Sequence, residues 1–139
     1  MPESPDTVMR AWFDELWNQG RSDTIDRLFA ADGRAHGLGV TPIVGRAQFH
    51  SFYQGFRQAF PDIQVEVARS VTEGDMVSVH CHVTGTHTGP GFGAPSGGRV
   101  DFWGHCMARV QNGQLVEGWN TFDFLTCYQQ MGLLPQLVV

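Results

Sequence analysis

The sequence has few charged residues and no excess of basic ones. Charged side chains make up 17% of its 139 residues, and 14 acidic against 9 basic side chains give a net charge of −5. Proteins that bind nucleic acid gather lysine and arginine into patches that neutralise phosphates, and this sequence has no such patch. We therefore expect no nucleic-acid partner.

Long apolar runs and paired cysteines are missing as well. No segment approaches the roughly 20 apolar residues that cross a bilayer, and the first ten residues lack the layout of a signal peptide. The cysteines form an odd set without paired spacing, and they are Cys81, Cys106 and Cys127. Free thiols in a reducing cytoplasm are the simplest interpretation, so we expect a cytoplasmic protein with no membrane partner.

The first half of the chain is predicted to be helical. One helix begins at the run from Ser4 to Asp6, which combines a capping hydroxyl, a proline and a carboxylate, and it ends at Gly20. A second, shorter helix begins at Ser22. A third ends at Pro61 and has an aromatic stripe made of Phe49, Phe52, Tyr53, Phe56 and Phe60.

Alternating apolar residues predict strands in the second half. Residues 63–67 and 77–83 alternate with period two, residues 88–98 are predicted to form a glycine-rich loop, and Asn112-Gly113 is a strong hairpin signal. Helices followed by a meandering sheet predict an α+β fold, in which the helices cover one sheet face. We expect a single domain over residues 1–139, since no repeat or linker divides the chain.

The hairpin around Asn112-Gly113 has two alternative registers. A two-residue turn would place Gln111 opposite Gln114. A three-residue, bulged loop would instead place Val110 opposite Gln114. A slip of one residue moves every partner to the other face of the sheet, so the choice decides which side chains lie together.

We prefer the bulged register, which places His105 opposite Trp119, because it sorts the residues better. One face is then small or apolar except for Asn120. The other face mixes rings with titratable groups, and it consists of Asp101, Trp103, His105, Met107, Glu117, Trp119, Thr121 and Asp123. Such a mixture is typical of a pocket wall, which we expect inside the fold; a half-exposed face with satisfied polar groups is the alternative.

Several motifs resemble those of one known family. They extend from about Thr7 to Pro135, and they are Trp17-Asn18-Gln19-Gly20, Phe60-Pro61-Asp62, Gly85-Thr86-His87-Thr88-Gly89, the Asn112-Gly113 turn, Trp119 with Asp123, and Met131-Gly132-Leu133-Leu134-Pro135. The sequence resembles the SnoaL-like polyketide cyclase family, within the nuclear transport factor 2-like superfamily of cone-shaped proteins. The resemblance implies three N-terminal helices packed on a curved, mainly antiparallel sheet.

The activity implied by this resemblance is acid/base catalysis without a cofactor. It would be an intramolecular aldol-type cyclisation of a hydrophobic carbonyl or polyketide-like substrate, with Asp123 as the general acid and base. Desolvation by neighbouring rings would raise the pKa of this carboxyl group and make it a better base. The alternative is structural, because an aspartate followed by Phe124-Leu125-Thr126 is also a good helix N-cap.

Two histidines are further catalytic candidates. His36 and His105 could each polarise a carbonyl or stabilise an enolate, and the resemblance extends better to His36. For each, the alternative is a histidine satisfied in the core or at the surface. The residues predicted to bind substrate are Trp17, Phe56, Trp103, Trp119 and Asn120.

Other functions remain as alternatives. The superfamily includes non-catalytic binding domains, ketosteroid isomerases and epoxide hydrolases, but the last need an Asp-Arg-Asp set, and Arg109 lies beside the turn. His80 and His82 share one strand face, yet no carboxylate has fitting spacing, so we expect no metal. We also expect a homodimer, as the resemblance implies, because the uncovered sheet face is too hydrophobic to remain in water.

Overall fold

A computed structural model of the chain describes residues 3–135, so residues 1–2 and 136–139 of the predicted domain lie outside the described part. Its helices are α1 (Pro5–Ala11), a π-helical continuation of α1 (Trp12–Asn18), α2 (Asp23–Leu28), α3 (Gly45–Ala59) and α4 (Phe124–Gln130). Its strands are β1 (Phe29–His36), β2 (Ile43–Val44), β3 (Gln64–Glu73), β4 (Met76–Thr86), β5 (Arg99–Gln111) and β6 (Gln114–Phe122).

The strands form one six-stranded sheet in the order β2-β1-β6-β5-β4-β3. All neighbouring pairs are antiparallel except β1 with β6, which are parallel. The predicted α+β fold with a mainly antiparallel sheet is confirmed, although β1 and β2 precede α3 and α4 follows the last strand. Among the helices of residues 3–135, none has the length and apolar character needed to cross a membrane.

The first helix begins where its capping signals predict. Ser4 Oγ accepts a hydrogen bond from the Thr7 N–H at 3.2 Å, and Pro5 and Asp6 follow in the first turn. From Trp12 onward the helix widens to the π form, in which the Gln19 N–H donates to the Asp14 carbonyl at 2.9 Å. This wider segment supplies four buried residues to the core, namely Trp12, Phe13, Leu16 and Trp17.

The sheet has one face against the helices and one face away from them. On β4 the buried side chains are Val77, Val79, Cys81 and Val83, as their alternation predicted, while His80 and His82 lie on the opposite face. We call this opposite surface of the sheet the outer face; its side chains include His36, Val71, His80, His82, Trp103, His105, Met107 and Trp119.

The preferred hairpin register is wrong at the turn. Asn112 and Gly113 both have positive φ, 54° and 73°, and they form the two-residue turn that places Gln111 opposite Gln114. One extra residue in β6, Val116, then shifts the register, so that His105 lies opposite Thr121. The shift restores the predicted division of side chains between the two faces, although their partners differ.

The direction of the aromatic and titratable face is also corrected. We expected Trp103, His105, Trp119 and Asp123 to point into the fold, but they lie on the outer side, and Trp103 is 40% exposed. The reason is the free energy of burial. The opposite face consists of Phe102, Cys106, Ala108 and Val110, and burying these side chains is more favourable than burying histidine and aspartate.

The close packing of β5 against β6 predicts that Gly104 cannot be replaced by alanine without cost. A Cβ atom at Gly104 would lie 2.2 Å from Phe122 Cδ1 and 2.7 Å from Phe122 Cα, so the backbone would have to move. Gly104→Ala should lower the free energy of unfolding by about 1–3 kcal/mol, as overpacking does elsewhere. Urea denaturation measures the change.

The matched control is Gly55→Ala in α3, where an added Cβ meets nothing within 4 Å. This substitution should leave stability unchanged or raise it by roughly 0.5–1 kcal/mol, because alanine restricts the unfolded chain and favours the helix. Equal stability of the Gly104→Ala variant and the wild type would contradict this account of the packing.

Candidate active site

A cavity lies between the helices and the inner face of the sheet. About 450 Å³ there is not filled by protein atoms, and this space includes open solvent. The lining is almost entirely apolar, with seven aromatic residues, and it consists of Phe13, Trp17, Leu38, Phe52, Phe56, Ile63, Val65, Val83, Phe102, Asn120, Phe122 and Phe124. An apolar ligand would lose most of its contact with water here.

We take the side of the cavity between α3, α4 and the segment 87–98 as its entrance, and we call this segment the entrance loop. An adjoining space on that side shares Leu38, Phe52, Phe56 and Phe124 with the cavity. The remaining residues around this outer space are Ser51, Gly55, Gly91, Phe92 and Tyr128.

Asn120 is the one polar side chain of the cavity lining. Its amide N–H donates to the His36 carbonyl at 2.9 Å, and this bond decides which way the amide is oriented. Among the described residues, no hydrogen bond uses its Oδ1 atom. This oxygen is not one of the fully buried polar atoms that lack a partner, so it remains accessible. Asn120 therefore offers a free acceptor to a hydroxyl or other donor of a bound molecule.

The chain passes very close to Asn120 where β1 ends. Gly37 has a φ of +85°, and a Cβ atom there would lie 1.9 Å from the Asn120 carbonyl oxygen. Only glycine can make this passage, because it has no Cβ and adopts positive φ without strain. The next residue, Leu38, then reaches the cavity wall.

Three of the five predicted binding residues lie in this cavity. Trp17 and Phe56 meet edge to face with ring centroids 5.7 Å apart, and Asn120 supplies the polar group. Sequence reasoning missed most of the other lining residues. Phe13 and Phe52 had a usable signal, since each stands four residues before a predicted binding residue on the same helix.

The other two predicted binding residues lie on the outer face. Trp103 stacks on His82 with centroids 4.6 Å apart and planes 9° apart. Trp119 stacks on His36 at 5.9 Å, and His36 Nε2 lies 2.7 Å from a Glu117 carboxylate oxygen. The sheet separates these four rings from the cavity.

His105 belongs to the same outer surface. Its ring stacks on His80 at 4.5 Å with 8° between the planes, while an Arg69 N–H donates to His80 Nδ1 at 2.7 Å. Partial burial, His105 and Arg69 all favour the uncharged ring, so the pKa of His80 lies below its usual value. His82 Nε2 bonds the Asp101 carboxylate at 2.6 Å. Within residues 3–135, no three metal-binding side chains are close enough together to hold an ion.

Asp123 caps α4. Its carboxylate accepts hydrogen bonds from the Thr126 N–H at 3.0 Å and the Thr126 hydroxyl at 2.6 Å. These bonds hold the pKa of Asp123 below its usual value, against a smaller opposing effect of burial. The side chain is exposed, so the predicted desolvation by Trp103 and Trp119 is wrong. A catalytic role for Asp123 stays a prediction.

Known proteins share this sequence pattern and this architecture. The sequence profile of the family described as SnoaL-like polyketide cyclase matches residues 7–131. A candidate SnoaL-like polyketide cyclase from Jannaschia sp. CCS1 is 26% identical, with 94% of this chain and 93% of that chain covered and a TM-score of 0.85. No protein of curated function matches the sequence.

Two Streptomyces structures are similar to the same extent. IdmH, a candidate polyketide cyclase from Streptomyces antibioticus, is 28% identical, with 94% of this chain and 99% of that chain covered and a TM-score of 0.81. AclR, a candidate hydroxylase from Streptomyces galilaeus, is 26% identical, with 96% and 88% covered and a TM-score of 0.83.

The cap on α4 predicts a clear order of stability among Asp123 variants. Asp123→Ala removes both hydrogen bonds to Thr126 and should lower the free energy of unfolding by about 1 kcal/mol. Asp123→Asn keeps an acceptor and should cost only a few tenths of a kcal/mol.

Because folding lowers the pKa of Asp123, the contribution of this cap to stability should be present above about pH 4 and disappear as acid protonates the carboxylate. Urea denaturation at pH 7 and pH 3 measures both effects; an alanine variant as stable as wild type at pH 7 would contradict them.

Proposed function

The chain belongs to the SnoaL-like polyketide cyclase family, and from this premise we propose that it cyclises a hydrophobic, polyketide-like carbonyl compound by an intramolecular aldol reaction without a cofactor. Its α+β architecture is the nuclear transport factor 2-like fold of that superfamily. One observation carries the proposal: the interior cavity is lined mainly by aromatic residues and has a single polar lining side chain, Asn120.

The cavity would act mainly by holding the substrate in a folded conformation. In an aldol closure, a carbon next to a carbonyl loses a proton, attacks a second carbonyl of the same molecule, and the resulting alkoxide takes up a proton. No oxidant or reductant is consumed. Holding both carbons close together replaces a costly search of conformations, and effective molarities of roughly 10⁵ M or more are known for such alignment.

Asn120 would orient the substrate inside the cavity. Its free Oδ1 accepts a hydrogen bond, so it suits a phenol, an enol or an alcohol better than a bare carbonyl. The rings of Trp17 and Phe56 would stack on flat parts of the same molecule. This combination favours a partly cyclised or enolised compound with at least one hydroxyl group.

Asp123 remains our proposed acid and base. It directly precedes Phe124, which lines both the cavity and its entrance. The side chains of Asp123, His36 and His105 all lie on the outer side of the sheet, and we prefer Asp123 because its neighbour Phe124 lines the cavity. The lowered pKa of Asp123 makes it a weak base for the unbound protein, so a substrate that covers it would have to raise that pKa by desolvation.

Binding without catalysis is the second candidate function. The observation that favours it is the absence of any titratable side chain among the twelve residues that line the cavity within the described chain. Such a domain would carry or protect a hydrophobic compound. An epoxide hydrolase is less suited to the geometry, because Arg109 pairs with Asp75 at 3.0 Å, away from the cavity lining.

Turnover of an aromatic polyketide precursor, followed by chromatography, separates these two candidates. Asp123→Asn should lower kcat by about 100-fold or more and leave KM nearly unchanged, since the apolar walls stay in place. The control is Thr126→Val, which removes one hydrogen bond from Asp123 but leaves its charge, and which should keep full turnover. Wild-type protein that binds precursors without converting them would instead establish the binding function.

We also propose that the outer face joins two copies of the chain. Large apolar side chains are exposed there: Val71 is 71%, Met107 44% and Trp103 40% accessible. Helices cover the inner face of the sheet, and no other part of residues 3–135 covers these three. A second copy meeting the same surface about a twofold axis would bury them on both sides.

Light scattering tests the dimer. The wild type at micromolar concentration should have twice the chain mass of 15.4 kDa, whereas Met107→Glu should return the mass of one chain, because a charge is costly in an apolar interface. The control is Val40→Glu, since Val40 is fully exposed in the segment between β1 and β2. A wild type of 15.4 kDa would refute the proposal.

The cytoplasm is the location that we propose. Cys81, Cys106 and Cys127 are free and buried. Burial raises the pKa of Cys81 and Cys127 to about 12, so these thiols stay protonated and unreactive. A reducing compartment suits three unpaired thiols.

A further inference from the structure

We propose that Phe92 determines which ligands pass the entrance of the cavity, and that His87 is the positioning residue that holds Phe92 there. The proposal rests on the ligand cavity described above and adds a specificity determinant to it. It arises from two features of the entrance loop that a simple connection between β4 and β5 would not need: a fully buried histidine and an aromatic residue with positive φ.

His87 is completely buried at the start of the entrance loop, and both of its ring nitrogens have partners. Nε2 lies 2.8 Å from the Gly91 carbonyl oxygen, to which it can only donate. Nδ1 accepts from the Ser96 N–H at 3.3 Å and lies 3.1 Å from the Ser96 hydroxyl. Only the neutral ring with its hydrogen on Nε2 satisfies these partners. His87 therefore connects two points of the loop that are five residues apart.

The backbone of His87 closes the same loop at its base. Its N–H donates to the Gly98 carbonyl at 2.9 Å, and its carbonyl accepts from the Gly97 N–H at 2.8 Å. The imidazole ring packs on Phe60, with centroids 5.5 Å apart. His87 thus closes the loop on itself by hydrogen bonds of both its backbone and its side chain, while the Gly89 N–H ties the loop to the Ala59 carbonyl at 3.2 Å.

The bond from His87 to Gly91 controls the orientation of Phe92. The Gly91 carbonyl belongs to the peptide group that precedes Phe92. Holding this oxygen in place fixes the orientation of that peptide plane, from which the φ of Phe92 is measured. That φ is +57°, a conformation that is rare for a bulky side chain and needs support from its surroundings. The His87 ring supplies that support from inside the loop.

Phe92 is the single large side chain of the entrance loop, whose other members from residue 88 to 98 are small, polar or proline. Its ring meets Phe56 edge to face at 5.6 Å and lies 6.1 Å from Tyr128. Phe56 belongs to α3 and lines the cavity, whereas Tyr128 belongs to α4. One aromatic ring therefore spans the entrance from one helix to the other.

This placement makes Phe92 a limit on ligand width. Because Phe92 and Phe56 are in contact, any ligand has to part them, but a flat ring system parts them least and can keep edge or face contacts with both. A ligand with a bulky branched substituent would have to displace Phe92 further, and with it the hydrogen bonds of His87. Entrance rate should therefore depend on shape, while the affinity of the inner cavity for both shapes is set by other residues.

Stopped-flow fluorescence with two neutral probes tests the proposal. The flat probe is 2-naphthol and the wide probe is a tert-butyl derivative of it; both have a hydroxyl group for Asn120. Phe92→Ala should raise the association rate of the wide probe by about tenfold or more and that of the flat probe by less than about threefold. Leu125→Ala is the control, because Leu125 is an exposed residue of α4 that does not line the entrance. Equal changes for both probes, or none, would overturn the role of Phe92.

The role of His87 is tested separately. His87→Leu should have the same rate pattern as Phe92→Ala, whereas His87→Gln, which can donate and accept at one end, should restore the wild-type pattern. Nitrogen NMR of histidine-labelled wild type at pH 7 should show His87 with its hydrogen on Nε2, and the other tautomer would overturn the positioning role even where variants fold poorly. If neither probe binds the wild type at all, the ligand cavity itself is refuted together with its gate.

Discussion

The structure depends on burying one face of β4, β5 and β6 beneath the helices. Alternation along these strands divides the side chains into a small or apolar set and a set of histidines, tryptophans and carboxylates, and only the first can lose water without paying for unpaired polar groups. The extra residue Val116 keeps this division consistent between β5 and β6 past the two-residue turn. Without it, every side chain of β6 beyond Val116 would change faces.

The cavity is a consequence of the same constraint. On the inner face of the sheet, Gly104 makes room for the Phe122 ring, which lines the cavity together with helix residues such as Trp17 and Phe56. At the parallel junction of β1 and β6, Gly37 passes over Asn120 and leaves its amide bound to the His36 carbonyl. The one polar side chain of the cavity lining is therefore positioned by backbone, which suits the ligand-orienting role that we propose for it.

The histidines show how far the environment decides what a residue can do. His80 and His105 stack on each other in the open, His36 and His82 pair with carboxylates, and all four occupy the surface that we assign to a second copy of the chain. His87 has the same side chain but lies fully buried, where both nitrogens serve the entrance loop. Residue type alone would have made each of them an equal candidate for catalysis.

The sequence by itself determined the first helix and its cap at Ser4, the alternation along β4 and the position of the turn at Asn112-Gly113, because each depends on neighbours within a few residues. It also narrowed Asp123 to two roles, cap or base, and predicted as binding residues Trp17, Phe56 and Asn120, which line the cavity. Only the tertiary structure decided which face of the hairpin turns inward, and so removed Trp103 and Trp119 from the cavity. Which face turns inward depends on helices that are distant in the sequence, because covering the apolar face buries apolar area. No local sequence pattern indicates this.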